Sequence, residues 1–280
     1  MLKKIFGVIG TITLVCFSFY YTDSAVDLVR RADPIMKEIE MFSEEFGNTA
    51  IDSVLIENDI IPGMRGVSVD LKKSYDNMKR LGKFDKSLII FKEETPNQTI
   101  KNNYNNYIIS GNKLKDNVSL IIKMKDTSFL EEILSILNKK NVTATFFLDK
   151  NIYNDGLDAV KLIYLFGNDI EFLSSEYSLD DLKKYNYIKE KYLKDELKYC
   201  YVNENNENIL NNCKSMKLYT IKPVSISEKF PYDDVKKILE NGSIITLTNS
   251  SETKRELPAI INYIEQKGKK IVKLEKLLEE

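Results

Sequence analysis

The sequence predicts an α/β fold, a (β/α) barrel preceded by a membrane anchor and a small α+β module. Three observations carry this expectation. From Asn117 onward, short apolar runs of strand character alternate with helical stretches of ten to fifteen residues. About seven such units follow one another, enough to close a barrel. An apolar run without charge lies close to the N-terminus, ahead of a stretch of mixed character. Strands that alternate with helices call for a parallel sheet with right-handed crossovers. In barrels of this kind the working face lies at the C-terminal ends of the strands.

Taken in order, the chain begins with Lys3 and Lys4 ahead of the run Ile5 to Tyr21. That run is near the lower limit for a spanning helix. The basic flank reads as cytoplasmic and places the rest outside. A cleaved signal peptide is the competing reading, but its cut would fall after Ala25 with Asp23 just before it, a poor site. The expectation is an uncleaved signal-anchor over residues 1–25, with Cys16 as helix packing. Residues 26–115 are expected to hold a stalk helix over 26–47 and a small α+β module. In the stalk, Val29, Ile35, Ile39, Phe42 and Phe46 recur mostly at helical spacing. In the module, Pro62-Gly63 breaks the chain, Leu71 to Leu81 suits an amphipathic helix, and Ser87 to Phe91 and Tyr107 to Ser110 read as strands. The polar run Asn102 to Asn106 reads as connector.

The expected barrel occupies residues 116–280. Its strands are Val118 to Met124, Val142 to Leu148, Asp169 to Leu173, Lys198 to Val202, Lys217 to Ile221, Ser243 to Thr248 and Lys270 to Val272. Between them, helices are expected after Ser128, where Ser128 and Glu131 suggest a capping box. Others are expected over Leu157 to Phe166, Tyr185 to Leu197, Glu207 to Met216, Tyr232 to Glu240 and Ser251 to Gln266. Gly167 and Gly268 mark two helix ends.

Composition narrows the chemistry. Charged residues make up 30% of the chain and nearly balance, for a net charge of -1, which argues against a nucleic-acid partner. Histidine is absent, so no reaction here uses an imidazole as base, acid or metal ligand.

Three segments resemble the NodB-type polysaccharide deacetylases. Asn141-Val142-Thr143-Ala144-Thr145-Phe146-Phe147 is similar to that family's second strand. Gly242-Ser243-Ile244-Ile245-Thr246-Leu247 is similar to the late strand that normally ends in a histidine. Leu257-Pro258, Ile260, Ile261, the Lys267-Gly268 turn and Ile271-Val272-Lys273-Leu274 resemble its closing helix and strand. The resemblance covers about residues 117–280 and implies a distorted (β/α) barrel. It also implies removal of acetyl groups from N-acetylated sugars, with a divalent metal held by one aspartate and two histidines, a second aspartate as base and a later histidine as acid. This sequence departs at each of those positions. The paired aspartates fall near Lys123 and Met124, the histidine pair on Leu173 and Tyr177, the Arg-Pro-Pro-Tyr segment on Tyr199 to Val202, and the late histidine on Thr248. A lysine at the metal position would repel a divalent cation, so no cofactor is expected.

Acidic residues still follow the strands: Asp126, Asp149, Glu176 and Glu204. They read either as solvated loop charge or as a substitute all-oxygen metal site. Tyr177 and Tyr201 suit stacking on a sugar ring. Cys200 and Cys213 form either a disulfide or two buried thiols. The resulting expectation is a catalytically inactive, single-pass membrane protein with its bulk outside the cytoplasm. It binds cell-wall glycan through Asp126, Asp149, Glu176, Tyr177 and Thr248, or serves as a scaffold. The alternative is an active deacetylase with a rebuilt site.

Overall fold

The computed structural model describes the backbone of residues 2–280, and side chains except those of residues 2–8, 10, 11, 19 and 23–25. Lys3, Lys4 and the first residues of the Ile5 to Tyr21 run therefore lie outside the described side chains. The backbone divides into two compact units.

The smaller unit contains residues 1–50 and 65–95. Helix α1 (Leu2–Ala32) is followed directly by α2 (Pro34–Glu45). The stalk is thus not one helix over 26–47. Proline lacks the N–H needed to continue a helix and disfavours helical backbone in the residue before it. Asp33 instead caps the new helix, its carboxylate accepting from the Ile35 N–H at 2.9 Å and from the Tyr75 hydroxyl at 2.7 Å. One segment among the described residues, Ile12–Ala32 within α1, is long and apolar enough to cross a membrane, with mean hydropathy 1.2. It ends later than the expected span, because α1 runs unbroken past Tyr21 to Ala32.

The larger unit contains residues 51–64 and 96–280. Its first strands are β1 (Val54–Ile56) and β2 (Asp59–Ile61). The chain then returns to the smaller unit for β3 (Gly66–Val69), α3 (Leu71–Lys79) and β4 (Phe91–Glu94). The expected strand Ser87 to Phe91 is a 3₁₀ turn over Lys86–Leu88, with the strand beginning only at Phe91. Asp85 caps that turn, its carboxylate accepting from the Ser87 N–H. The larger unit resumes with β5 (Tyr107–Ile108), β6 (Asn117–Met124), α4 (Leu130–Lys140), β7 (Thr145–Asp149), α5 (Lys150–Asn154), α6 (Asp158–Leu165) and β8 (Asp169–Leu173). Then come α7 (Leu179–Leu193), β9 (Tyr199–Tyr201), α8 (Glu207–Ser215), β10 (Tyr219–Ile221), α9 (Pro231–Ile238), β11 (Ile244–Thr248), α10 (Ser251–Gln266), β12 (Lys270–Ile271) and α11 (Leu274–Leu277). Each of the seven expected barrel strands is present.

Two expectations at helix starts are corrected. No side chain caps α4, and Ser128 instead donates its N–H to Asp126. Helix α7 starts at Leu179 rather than Tyr185, because the Ser178 hydroxyl accepts the Asp181 N–H and opens the helix earlier.

The strands form two parallel arcs, in the orders β11-β6-β7-β8 and β1-β2-β5-β10-β9, with only β1 antiparallel; β12 pairs the foot of β6. The domain boundary at residue 116 is corrected accordingly. Strands from 54–61 and 107–108 belong to the barrel sheet, because β2 and β10 flank β5. Alternate residues of each strand face opposite sides. Ile121, Phe147, Tyr199, Tyr201, Ile221 and Ile244 pack inside with Leu274 and Leu277 of α11. Leu120, Phe146, Ile170, Cys200 and Leu247 face the surrounding helices.

The arcs are not hydrogen-bonded to each other between β8 and β9. Two side chains stitch that seam. The buried Glu171 carboxylate accepts the N–H groups of Lys198 at 3.0 Å and Tyr199 at 3.2 Å. It also pairs with buried Lys189 at 3.1 Å. Burial pushes the Glu171 carboxyl up, against the pull of Lys189 and the two N–H groups. The Tyr177 hydroxyl donates to the Phe172 carbonyl at 3.0 Å and accepts the Tyr201 N–H at 2.9 Å. On the helix side of β9, Cys200 and Cys213 are bonded, with Cα atoms 6.4 Å apart.

Candidate functional site

The C-terminal ends of β6, β7, β8, β9 and β11 surround a cleft of about 460 Å3. Sheet register explains what meets there. Thr248, Lys123, Phe147 and Glu171 lie side by side across β11, β6, β7 and β8. Lys123 shares its side of β6 with Ile121, so its chain enters the barrel and its ammonium reaches the cleft. The Nζ lies 4.8 Å from the centre of the Tyr201 ring and 3.5 Å from its hydroxyl. The Tyr201 hydroxyl in turn donates to Asn203 at 3.0 Å. Burial lowers the Lys123 pKa, with Glu228 opposing and nearby Lys125 adding to the shift. Burial pushes the Tyr201 hydroxyl up to about 12. Ser174, Ser175, Asn203 and Asn206 complete a lining of hydroxyls and amides, with Glu204 and Glu228 exposed at the rim.

Of the residues expected to bind glycan, Asp149 and Thr248 line this cleft. Asp149 is committed in part, since its carboxylate caps α5 through the Asn151 N–H. Three others are corrected. Tyr177 is fully buried, its hydroxyl occupied on both sides by the β8–β9 seam, so it offers no face to a sugar. Asp126 does not line the cleft; it accepts from the Ser128 N–H and the Asn249 amide, and the Ser128 contacts hold its carboxyl below the usual range. Glu176 is exposed and also lies outside the lining. Tyr201 does line the cleft.

The residues present do not fit a divalent metal. Among the described residues, no three carboxylates or thiols gather, so the substitute carboxylate site does not form. An ammonium stands on the cleft floor instead. Sequence reasoning named Lys123 only as a metal-repelling substitution and missed it as a lining group. Its alternation with Ile121 is the signal that was available. Glu228 comes from the loop between β10 and α9, where no local pattern marked it.

No protein-family model matches the chain. The chain is similar to BA3943 of Bacillus anthracis, described as a CE4 family pseudoenzyme. The identity is 23% over 88% of this chain and 95% of that one, with a TM-score of 0.68. A mutant of that protein with restored enzymatic activity superposes at a TM-score of 0.67, covering 88% of this chain and 98% of that one. The chain has the fold of the family 4 carbohydrate esterases. PdaA of Bacillus subtilis, another protein of this fold, matches with 18% identity over 61% of this chain and 84% of that one, at a TM-score of 0.54. The NodB-type resemblance and the distorted barrel thus agree with the esterase fold. Among curated sequences, the uncharacterized protein YlxY of Bacillus subtilis is 29% identical over 164 residues, 57% of this chain. The chain spans only about half of that relative, 50% of its length.

Proposed function

We propose that this chain is a degenerate deacetylase that has kept the esterase barrel without its chemistry and binds a cell-envelope glycan at the barrel mouth. The observation that carries the reading is Lys123 on the cleft floor. The family resemblance puts a metal-binding aspartate near Lys123 and Met124, and a positive charge there opposes a divalent cation. Without a metal or imidazole, no group is placed to activate water and polarise an amide carbonyl together. The likeness to a CE4 pseudoenzyme supports the same reading. Hydroxyl and amide groups around the cleft suit sugar hydroxyls; the Tyr201 ring is buried beneath Lys123 and contributes its hydroxyl rather than a stacking face. The apolar segment of α1 supports a membrane anchor, with the barrel outside the cytoplasm.

The test uses the full-length chain in detergent. Less than a tenth of an equivalent of zinc, cobalt or nickel is expected, and deacetylation of N-acetylated oligomers at background. Titration with chitotetraose and peptidoglycan fragments is expected to show binding in the millimolar range or tighter. Near one equivalent of metal, with chelator-sensitive deacetylation, would establish an active enzyme instead. Absence of binding to every oligomer would turn the assignment toward a scaffold with a protein partner.

A further inference from the structure

We propose that the cleft takes a carboxylated sugar, with the carboxylate seated on the Lys123 ammonium; this rests on the glycan reading above. The argument starts from an imbalance inside the fold. Lys189, a more deeply withdrawn lysine of the barrel, is neutralised by Glu171 at 3.1 Å and Asp195 at 3.0 Å. Lys123 has no such partner among the described residues; the Tyr201 hydroxyl and ring are its neighbours. A partly desolvated ammonium without a counter-ion is costly, and an anion that reaches it gains more there than at the surface.

The acidic groups of the cleft do not already fill this role. Asp149 turns to the start of α5. Glu204 and Glu228 are exposed, where water and salt screen them; the Glu228 charge acts on Lys123 but makes no ion pair with it. Lys125 is exposed as well, so one cation serves the floor and a monoanion matches it. Thr248, directly beside Lys123 in register, brings a hydroxyl that can donate to the second carboxylate oxygen. The remaining lining of hydroxyls and amides is neutral, as the body of a sugar requires.

The experiment compares three tetrasaccharides on the full-length chain in detergent by calorimetric titration. They are a hyaluronan tetrasaccharide, in which N-acetylated sugars alternate with uronic acids, the same molecule with its carboxylates methyl-esterified, and neutral chitotetraose. The acid is expected to bind at least about tenfold more tightly than the ester. Lys123→Gln is expected to bring the acid down to the affinity of the ester, and Lys123→Arg to keep the preference. Equal binding of acid and ester by the unaltered chain overturns the proposal without any variant, as does a preference that survives Lys123→Gln. Binding of chitotetraose with no preference for the acid leaves the glycan reading standing and this inference wrong. Failure of all three to bind removes this inference, and the glycan reading falls as well when peptidoglycan fragments also fail to bind.

Discussion

Tyr177 shows how a single side chain changes meaning once its surroundings are known. In sequence it is one of 16 tyrosines, placed after a strand where a sugar-stacking ring would be useful. In the fold its hydroxyl replaces a missing ladder bond between β8 and β9, and its backbone is left-handed at φ 49°. Tyr177→Phe would keep the ring and leave the buried Tyr201 N–H without its acceptor. The expected cost is about 1–3 kcal/mol, read as a lower urea midpoint for the larger unit. An unchanged midpoint would show that another acceptor takes over. Because Tyr201 lines the cleft, loss of glycan binding in a Tyr177 variant would report a displaced β9 rather than a lost contact. Lys123 moved the other way, from a substitution that explains missing chemistry to a partly withdrawn cation that a ligand's charge can reach.

At the scale of elements, the seam between β8 and β9 is where this barrel departs from a closed sheet. Side chains there do what backbone pairing does elsewhere, and Glu171 with Lys189 is withdrawn from solvent to do it. A buried pair of this kind adds geometry more reliably than stability. Strand β9 is held from its other face by the bond from Cys200 to Cys213 on α8. The two cysteines are 13 positions apart, so the bond would contribute about 3 kcal/mol on chain-entropy grounds. Thiol counting on the unreduced, denatured protein is expected to find only Cys16 reactive; three reactive thiols would show that the bond does not form. The glycine at 242 illustrates a tighter constraint between elements. Its φ is +81°, and a Cβ there would stand 2.4 Å from the Gly111 carbonyl. The approach is stabilised by the Gly111 N–H donating to the Gly242 carbonyl at 2.8 Å.

For the whole molecule, the central expectation is topology. Lys3 and Lys4 are predicted to stay in the cytoplasm, and everything beyond the apolar segment to face outward. Protease added to intact cells stripped of their wall should digest the chain down to a membrane-held fragment containing α1. A soluble protein in the medium beginning near Val26 would instead mean that the segment is a cleaved signal peptide. The membrane reading and the barrel reading are separable. The first depends on apolar length within α1, and the second on the parallel arcs of the larger unit.

The sequence by itself determined the alternation of strands and helices after Asn117, the positions of the seven barrel strands beyond that residue, the apolar N-terminal segment and the absence of imidazole chemistry. Those features are written in composition and in periodicities of two and 3.6 residues, which act over a few positions of chain. Only the tertiary structure decided that β1, β2 and β5 join the barrel sheet, since β5, with β2 and β1 beyond it, pairs with β10 across more than a hundred residues. It also decided that Tyr177 is sealed in a seam, that Asp126 and Glu176 stay out of the cleft, and that Lys123 and Thr248 meet on its floor. Each of these depends on which groups distant segments bring together, and on which of them burial leaves without water. Local pattern along the chain carries no record of that.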